Sequence, residues 1–421
     1  MRDLLVTAII IGSIPYILKR PWLGVLMWSW IGYMNPHRLT WGFAYDMPFA
    51  QIIALVLFTA ILMDKEKKQF PPSDGMLWVW GAFIAWMALT STFALFSDSA
   101  WGQYIKILKI QAITFLTILL ITDQKKIDYL IWVIVLSIGF YSVKGGLFTI
   151  LTGGVSRVYG PPGSFIEENN SLALATLMII PLIVYLYRIR PEKWMKAGLA
   201  LAVVLSLASA LGSQSRGALL SIIAVGGYFW WISRYKVATG FVLLLLAIVG
   251  FNFMPETWHT RMDTIQNYQQ DESAMGRINA WWYCFNVAND RITGAGLNSW
   301  KLESFVTYAP NPLMVHAAHS IYFSVLGDHG WIGLILFLTI IWMAWRNLSW
   351  VIKHAPNTHM AYLSSSIKVS LVAYMSGGAF LSLSYYDLPW HLYAISILLR
   401  YQSRDYKAEP VKQVGRMRHA H

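Results

Sequence analysis

Long apolar runs, separated by short basic clusters, constrain this chain more than any other feature. Runs at about 4–18, 22–35, 48–63, 76–95, 102–122, 127–150, 171–188, 195–212, 217–233, 237–252, 320–345 and 363–384 have the length and composition of membrane spans. The expected fold class is therefore all-α, a polytopic transmembrane helical bundle of about twelve spans. A thirteenth run, 388–400, is shorter and reads as a half-span or an interfacial helix. The first two runs are also short, punctuated by Pro15 and Pro21. The count of twelve holds to within one, and the side of the N-terminus depends on its parity. The first run follows Met-Arg-Asp without a small-residue cleavage site and reads as a retained span, not a removed signal peptide.

Composition agrees. Of 421 residues, 56% are hydrophobic and only 13% charged, about half the usual share of a soluble protein. That excludes disorder and argues against a soluble enzyme. The net charge of +12 could suggest nucleic acid, but the basic residues sit between spans, which is the pattern that orients a membrane protein. Lys65, Lys67, Lys68, Lys125, Lys126, Arg188, Arg190, Lys193, Lys196, Arg234, Lys236, Arg346 and Lys353 fall in one alternating set of loops. The short loops of the other set, near 95–101, 151–170, 212–216 and 384–388, hold only Arg157 and Arg216. The positive-inside rule assigns the first set to the cytoplasm and the second to the outside, together with the long segment 253–319. The expected organisation is ten spans in 1–252, an outer loop with short helices in 253–319, further spans in 320–400, and a basic cytoplasmic tail in 401–421. Within the outer loop, residues 274–289 suit a helix, with Trp281–Trp282 fit for a membrane interface, and Gly294 and Gly296 mark a turn.

The outer face offers few chemical groups. Cys284 is the only cysteine, so an intramolecular disulfide and a thiolate zinc cluster are both excluded. Arg157 and Arg216 run against the topology bias, which singles them out; Arg261 and Arg277 lie in the long loop, where that rule does not apply. A planar guanidinium suits phosphate, and converging arginines could hold a diphosphate without metal. As interfacial anchors, the same arginines would need no ligand. His316 and His319, three apart, would share a face on a helix. They lack an obvious third metal partner, and a single catalytic histidine, neutral at pH 7, fits better. Simple hydrogen bonding at a helix start is the bland alternative. Lys106 and Lys109 inside the fifth run are secondary candidates that could snorkel outward. Lys144 and Lys368 are further intramembrane charges. Glu167 and Glu168 form the adjacent carboxylates of an outer loop and are the alternative base. The sequence contains no P-loop, dinucleotide fingerprint or Asp-rich diphosphate–metal motif.

The segments RPWLGVLMWSWIGYMNPHRLTWGFAYDMPFA, RVYGPPGSFIEENNSLAL, QSRGALL, GRINAWWYCFNVANDRITGAG and HSIYFSVLGDHGWIGL, in this order over nearly the whole chain, resemble the O-antigen ligase and O-antigen polymerase superfamily. The likeness is greatest to the branch described as exosortase-associated O-glycosylation ligases. The resemblance implies a multi-pass protein of the bacterial inner membrane with its active site facing the periplasm. It implies a glycosyltransferase whose donor is a glycan on undecaprenyl diphosphate. A ligase passes that glycan to a lipid A-core sugar, a polymerase to another repeat unit, and an O-oligosaccharyltransferase to a protein hydroxyl. It implies no cofactor, no metal and no nucleic-acid partner. The essential histidine of the H-[SN]-x-Y segment falls on His319, the S-R-G arginine on Arg216, and the long-loop arginine on Arg277, with Arg261 a second. Two departures are Asp328, where the family often has Glu in L-x-E-x-G, and Glu168, where Asp commonly precedes the Asn pair. A transporter of lipid-linked glycan remains the rival class, with charges expected through the membrane depth instead of at one face.

Overall fold

The computed structural model describes residues 1–64, 75–263, 269, 271–356 and 358–404. Among the described residues the chain forms only helices and their connections. These are α1 (Arg2–Lys19), α2 (Trp22–Met34), α3 (Phe49–Met63), α4 (Gly75–Thr92), α5 (Ser97–Leu120), α6 (Gln124–Leu151), α7 (Asn169–Ile189), α8 (Lys193–Gly212), α9 (Arg216–Ile232), α10 (Lys236–Phe253), α11 (Glu256–Asp263), α12 (Glu272–Asp290), α13 (Leu302–Tyr308), α14 (Ile321–His354), α15 (His359–Gly377) and α16 (Asp387–Gln402). Every apolar run expected to span is one of them. Seven, α4 to α8, α10 and α14, are long and apolar enough to cross a membrane by length and composition, and α3 and α9 are shorter apolar helices. The protein is a polytopic helical membrane protein.

The layering follows from which helices are apolar all round. α7 is buried at every position from Ser171 to Ile183 and α16 at every position from Leu388 to Leu399, so these two form the centre of the bundle. α10 buries no residue at all and forms the rim beside α9. The centre of α16 corrects the expectation for 388–400. An interfacial helix would leave one face exposed, whereas this one is enclosed by α14, α5 and α15. Small residues let neighbours approach closely: a Cβ on Gly146 of α6 would meet the Leu205 carbonyl of α8, so that contact requires glycine.

Among the described residues, Asp3 near the start and Arg400 near the end lie on opposite faces of the bundle. Asp3 accepts hydrogen bonds from the Gly42 and Ala44 N–H groups of the α2–α3 connection, at 3.0 and 3.1 Å. Arg38 of that connection lies against Gly163, in the α6–α7 loop. Arg400 at the end of α16 instead bonds Asn347, in the far half of α14. The fifth-run lysines Lys106 and Lys109 are exposed on α5, as is Lys144 on α6. Lys368 bonds Ser349 Oγ at 3.1 Å and lies 4.1 Å above the Trp345 ring. The clusters at 65–68 and 405–421 lie outside the described residues.

α14 is not one continuous helix. Gly330 has φ 66° and ψ −171°, a conformation open essentially to glycine alone, and it separates a first half, 321–329, from the rest. Three carbonyls at the break find partners outside the helix: Ala295 N–H bonds Gly327 O at 2.8 Å and Gly296 N–H bonds Asp328 O at 3.0 Å, while Trp86 Nε1 of α4 bonds His329 O at 2.9 Å. The glycine turn after α12 thus ties α12 to the bundle.

Candidate active site at one end of the bundle

Four pieces of chain meet at the face opposite Arg400: the α8–α9 turn, the start of α12, the start of α7 and the irregular segment 309–320. The turn is Ser213-Gln214-Ser215. Gln214 takes φ 54°, which places its buried side chain across the α6–α7 loop. Its Nε2 donates to Gly154 O and Val155 O at 3.0 and 3.1 Å, and its Oε1 accepts from Arg157 Nε at 3.5 Å. Asn169 of α7 donates to Ser213 O at 2.7 Å. Ser215 caps α9, accepting from Ala218 N–H, so Arg216 is the first residue of that helix.

Arg216 pairs with Asp271 at 2.5 Å, both side chains 19% exposed. The other oxygen of Asp271 caps α12, accepting from Ala274 N–H at 3.1 Å. One carboxylate therefore ties the start of α12 to the start of α9. Burial tends to raise the Asp271 carboxyl, but hydrogen bonds from Arg216 and from the backbone outweigh it and hold the acid below its ordinary value. Arg277 follows on α12. Burial, and after it the charge of Arg216, lowers its pKa, while Asp271 and Glu168 act in the opposite direction; guanidinium nonetheless stays cationic. Arg277 Nε is buried with no hydrogen-bond partner among the described residues. An unsatisfied buried donor on a cation is costly, and an anionic ligand would satisfy it.

The histidines do not share a helical face. Ser320 caps α14, so the helix begins after them, and His319 sits in the left-handed region at φ 44°. That turn brings the two rings to 5.2 Å between centroids. α12 clamps the irregular segment that carries them. Asn279 bonds Asn311 O, Met314 O and Asn311 N–H at 2.9, 3.0 and 2.8 Å. Trp281 Nε1 donates to Ala318 O at 2.7 Å, and its ring stacks on Phe323. Of the two tryptophans expected at the interface, only Trp282, 53% exposed, faces outward. Burial first, then the charges of Arg277 and His316, bring the His319 pKa down to about 4. His319 is therefore a neutral acceptor at pH 7 beside the Arg277 guanidinium.

The other candidates sort by position. Arg157 is exposed at the edge, held by Gln214. Arg261 is on α11, but its side chain lies outside the described residues. Lys106 and Lys109 do not enter this arrangement. Glu167 accepts from Gly163 N–H at 2.8 Å and closes its own loop, whereas Glu168 is close enough for its charge to act on Arg277. Among the described residues, no three His, Cys, Asp or Glu side chains gather as a metal site.

Sequence reasoning missed Asp271 and Gln214. Asp271 had a local signal as the polar residue before a helical run; its pairing with Arg216, 55 positions away, had none. It also left Asp328 without a place. Tyr385 donates to Asp328 Oδ2 at 3.0 Å and lies 2.8 Å from His329 Nε2, while Thr90 lies 2.6 Å from His329 Nδ1. Asp328 and His329 thus form a polar joint under the break in α14, not part of the arginine–histidine group.

Comparison with known families decides the affiliation. Residues 200–338 match the family described as O-antigen ligase. Over that stretch the chain carries a domain of the O-antigen ligase and polymerase superfamily. The match runs from α8 into α14 and so takes in Arg216, Asp271, Arg277 and His319. Residues 1–190 match a family of unknown function. No curated protein matches the chain.

Proposed function

We propose that the protein is an O-antigen ligase, a metal-independent inverting glycosyltransferase of the bacterial inner membrane working at the periplasmic face. The observation that carries this reading is the meeting of Arg216, Arg277 and His319 at one end of the bundle. The electrostatic reach of Arg277 to both Arg216 and His319 expresses that meeting. His319 accepts the proton of a lipid A-core sugar hydroxyl. The resulting oxygen attacks the anomeric carbon of the donor, a new C–O bond forms, and the bond to undecaprenyl diphosphate breaks with inversion. Diphosphate leaves as an anion, so the need is for charge stabilisation and not for protonation. Arg216 and Arg277 supply it, and Arg157 and Arg261 are the further candidates for the diphosphate. His316 abuts His319 and is a secondary candidate.

The sibling reactions, repeat-unit polymerisation and transfer to a protein hydroxyl, use the same donor half. The test is to supply purified protein and lipid-linked glycan with lipid A-core, with repeat-unit donor alone, and with a Ser-rich peptide in parallel. Glycan on the lipid core is expected; glycan only on repeat units or on peptide would replace the ligase reading by a sibling. Movement of donor across a vesicle without transfer would favour a transporter. In the same assay His319→Ala should lose about 10²–10⁴-fold in rate with its helical content kept, and full transfer by that variant would sink the role of His319. Loss of activity in EDTA, restored by Mg²⁺ or Mn²⁺, would overturn the metal-free mechanism.

A further inference from the structure

A second built feature lies at the opposite face. Where α1 ends and α6 begins, an open groove of about 550 Å³ has Arg20, Lys125 and Lys126 at its rim. Its walls carry Trp22, Tyr129 and Trp132. The groove continues past Leu23, Leu26 and Val133 into a second apolar hollow of about 290 Å³ between α1, α2 and α6. One end is therefore basic and the other apolar, and the long direction runs from the membrane surface into the bilayer.

The unsatisfied groups here are donors. Lys126 is already engaged by Asp123 at 3.2 Å and by Thr122, and that carboxylate, which also caps α6, is the acidic residue of the lining. Among the described residues neither Arg20 nor Lys125 has an acidic partner. Among the described residues Trp132 Nε1 of the lining and, behind it, Arg190 Nε are buried without hydrogen-bond partners, and the Arg190 guanidinium lies 5.4 Å from the Trp132 ring centroid. Cations and N–H donors with no acceptor, at the mouth of an apolar trough, call for an anionic head and a hydrocarbon tail on one molecule.

We propose that this groove binds an anionic phospholipid of the leaflet opposite the candidate active site. Its phosphate lies on Arg20 and Lys125, within reach of the Trp132 indole, and one acyl chain runs along Leu26 and Val133. The proposal is independent of the glycosyl-transfer reading.

The test is native mass spectrometry of the full-length protein released from mixed phosphatidylglycerol–phosphatidylcholine nanodiscs. The wild type should retain phosphatidylglycerol in preference to phosphatidylcholine. Arg20→Gln with Lys125→Gln should lower that preference about 30-fold, at roughly a factor of five per basic residue near the surface. Arg234→Gln, on the same face but outside the groove, should leave it unchanged. Leu136→Trp, which crowds the apolar wall without altering charge, should lower retention of both lipids. A wild type that does not discriminate between headgroups, a double variant that still discriminates, or an equal loss in Arg234→Gln would each overturn the proposal. Melting temperatures in detergent identify any variant that has lost its fold, and Leu136→Trp then stands as the independent arm.

Discussion

His319 shows how much of a residue's chemistry comes from its surroundings. A free histidine titrates near 6.5; here burial and two neighbouring positive groups bring it to about 4. Only the neutral ring can accept a proton. The acid limb of kcat/KM, which reports the free enzyme, should therefore lie near pH 4 and not near 6.5. Arg277→Gln removes a positive charge that disfavours the imidazolium, so it should move that limb upward, though not fully, because burial remains the larger cause. A limb near 6.5 in both proteins would separate His319 from the titration. Asp271 invites a second measurement. Asn caps a helix as well as Asp does, so Asp271→Asn keeps the start of α12 and removes the charge that holds Arg216. The expected result is a rise in donor KM with a loss of about tenfold in kcat/KM; an unchanged KM would mean that Arg216 is positioned without it.

Helix α14 illustrates a local rule broken for a tertiary reason. Its sequence reads as one apolar helix, yet it turns sharply at Gly330 because the turn after α12 needs the carbonyls released there. A Cβ on Gly330 would collide with Ile292 O, and the backbone angles exclude other residues. Gly330→Ala should cost about 3 kcal/mol or more of stability, read as a lowered melting temperature in detergent; a wild-type melting temperature would show that the joint can relax. Tyr385→Phe keeps the ring and removes the hydroxyl shared by Asp328 and His329. Leaving those buried groups short of a partner should cost about 1–3 kcal/mol, with less effect on chemistry than His319→Ala. α12 works on the same principle: Asn279 and Trp281 hold an irregular segment in place by side chains, since that segment has no regular structure to hold itself.

Across the bundle, the placement of Asp3 and Arg400 on opposite faces has a direct test. Cys284 is fully buried, so the native protein offers no exposed thiol to an impermeant maleimide. Cysteines introduced at Trp41 and Pro162 should label from one side of sealed vesicles, and cysteines at Lys125 and Lys353 from the other. Labelling of positions 41 and 125 from the same side would refute the placement of the N-terminus. The same two-sidedness separates the two candidate binding regions, since the arginine–histidine group and the basic groove lie at opposite ends.

Composition and loop charge were enough to read the helical membrane class, the positions of the runs and the basic set of loops, because burial in hydrocarbon imposes length and apolarity on each run separately. His319, Arg216 and Arg277 were legible through family motifs, which are also local in sequence. The pairing of Arg216 with Asp271, the reach of Gln214 to Arg157, the left-handed turn at His319 and the Tyr385 joint were not legible. Each depends on partners tens or hundreds of positions apart, and neither periodicity nor hydropathy carries information about such a pair. The shorter run at 388–400 makes the same point. Its apolar residues are compatible with an interface or a core, and only the helices packed around α16 place it at the centre.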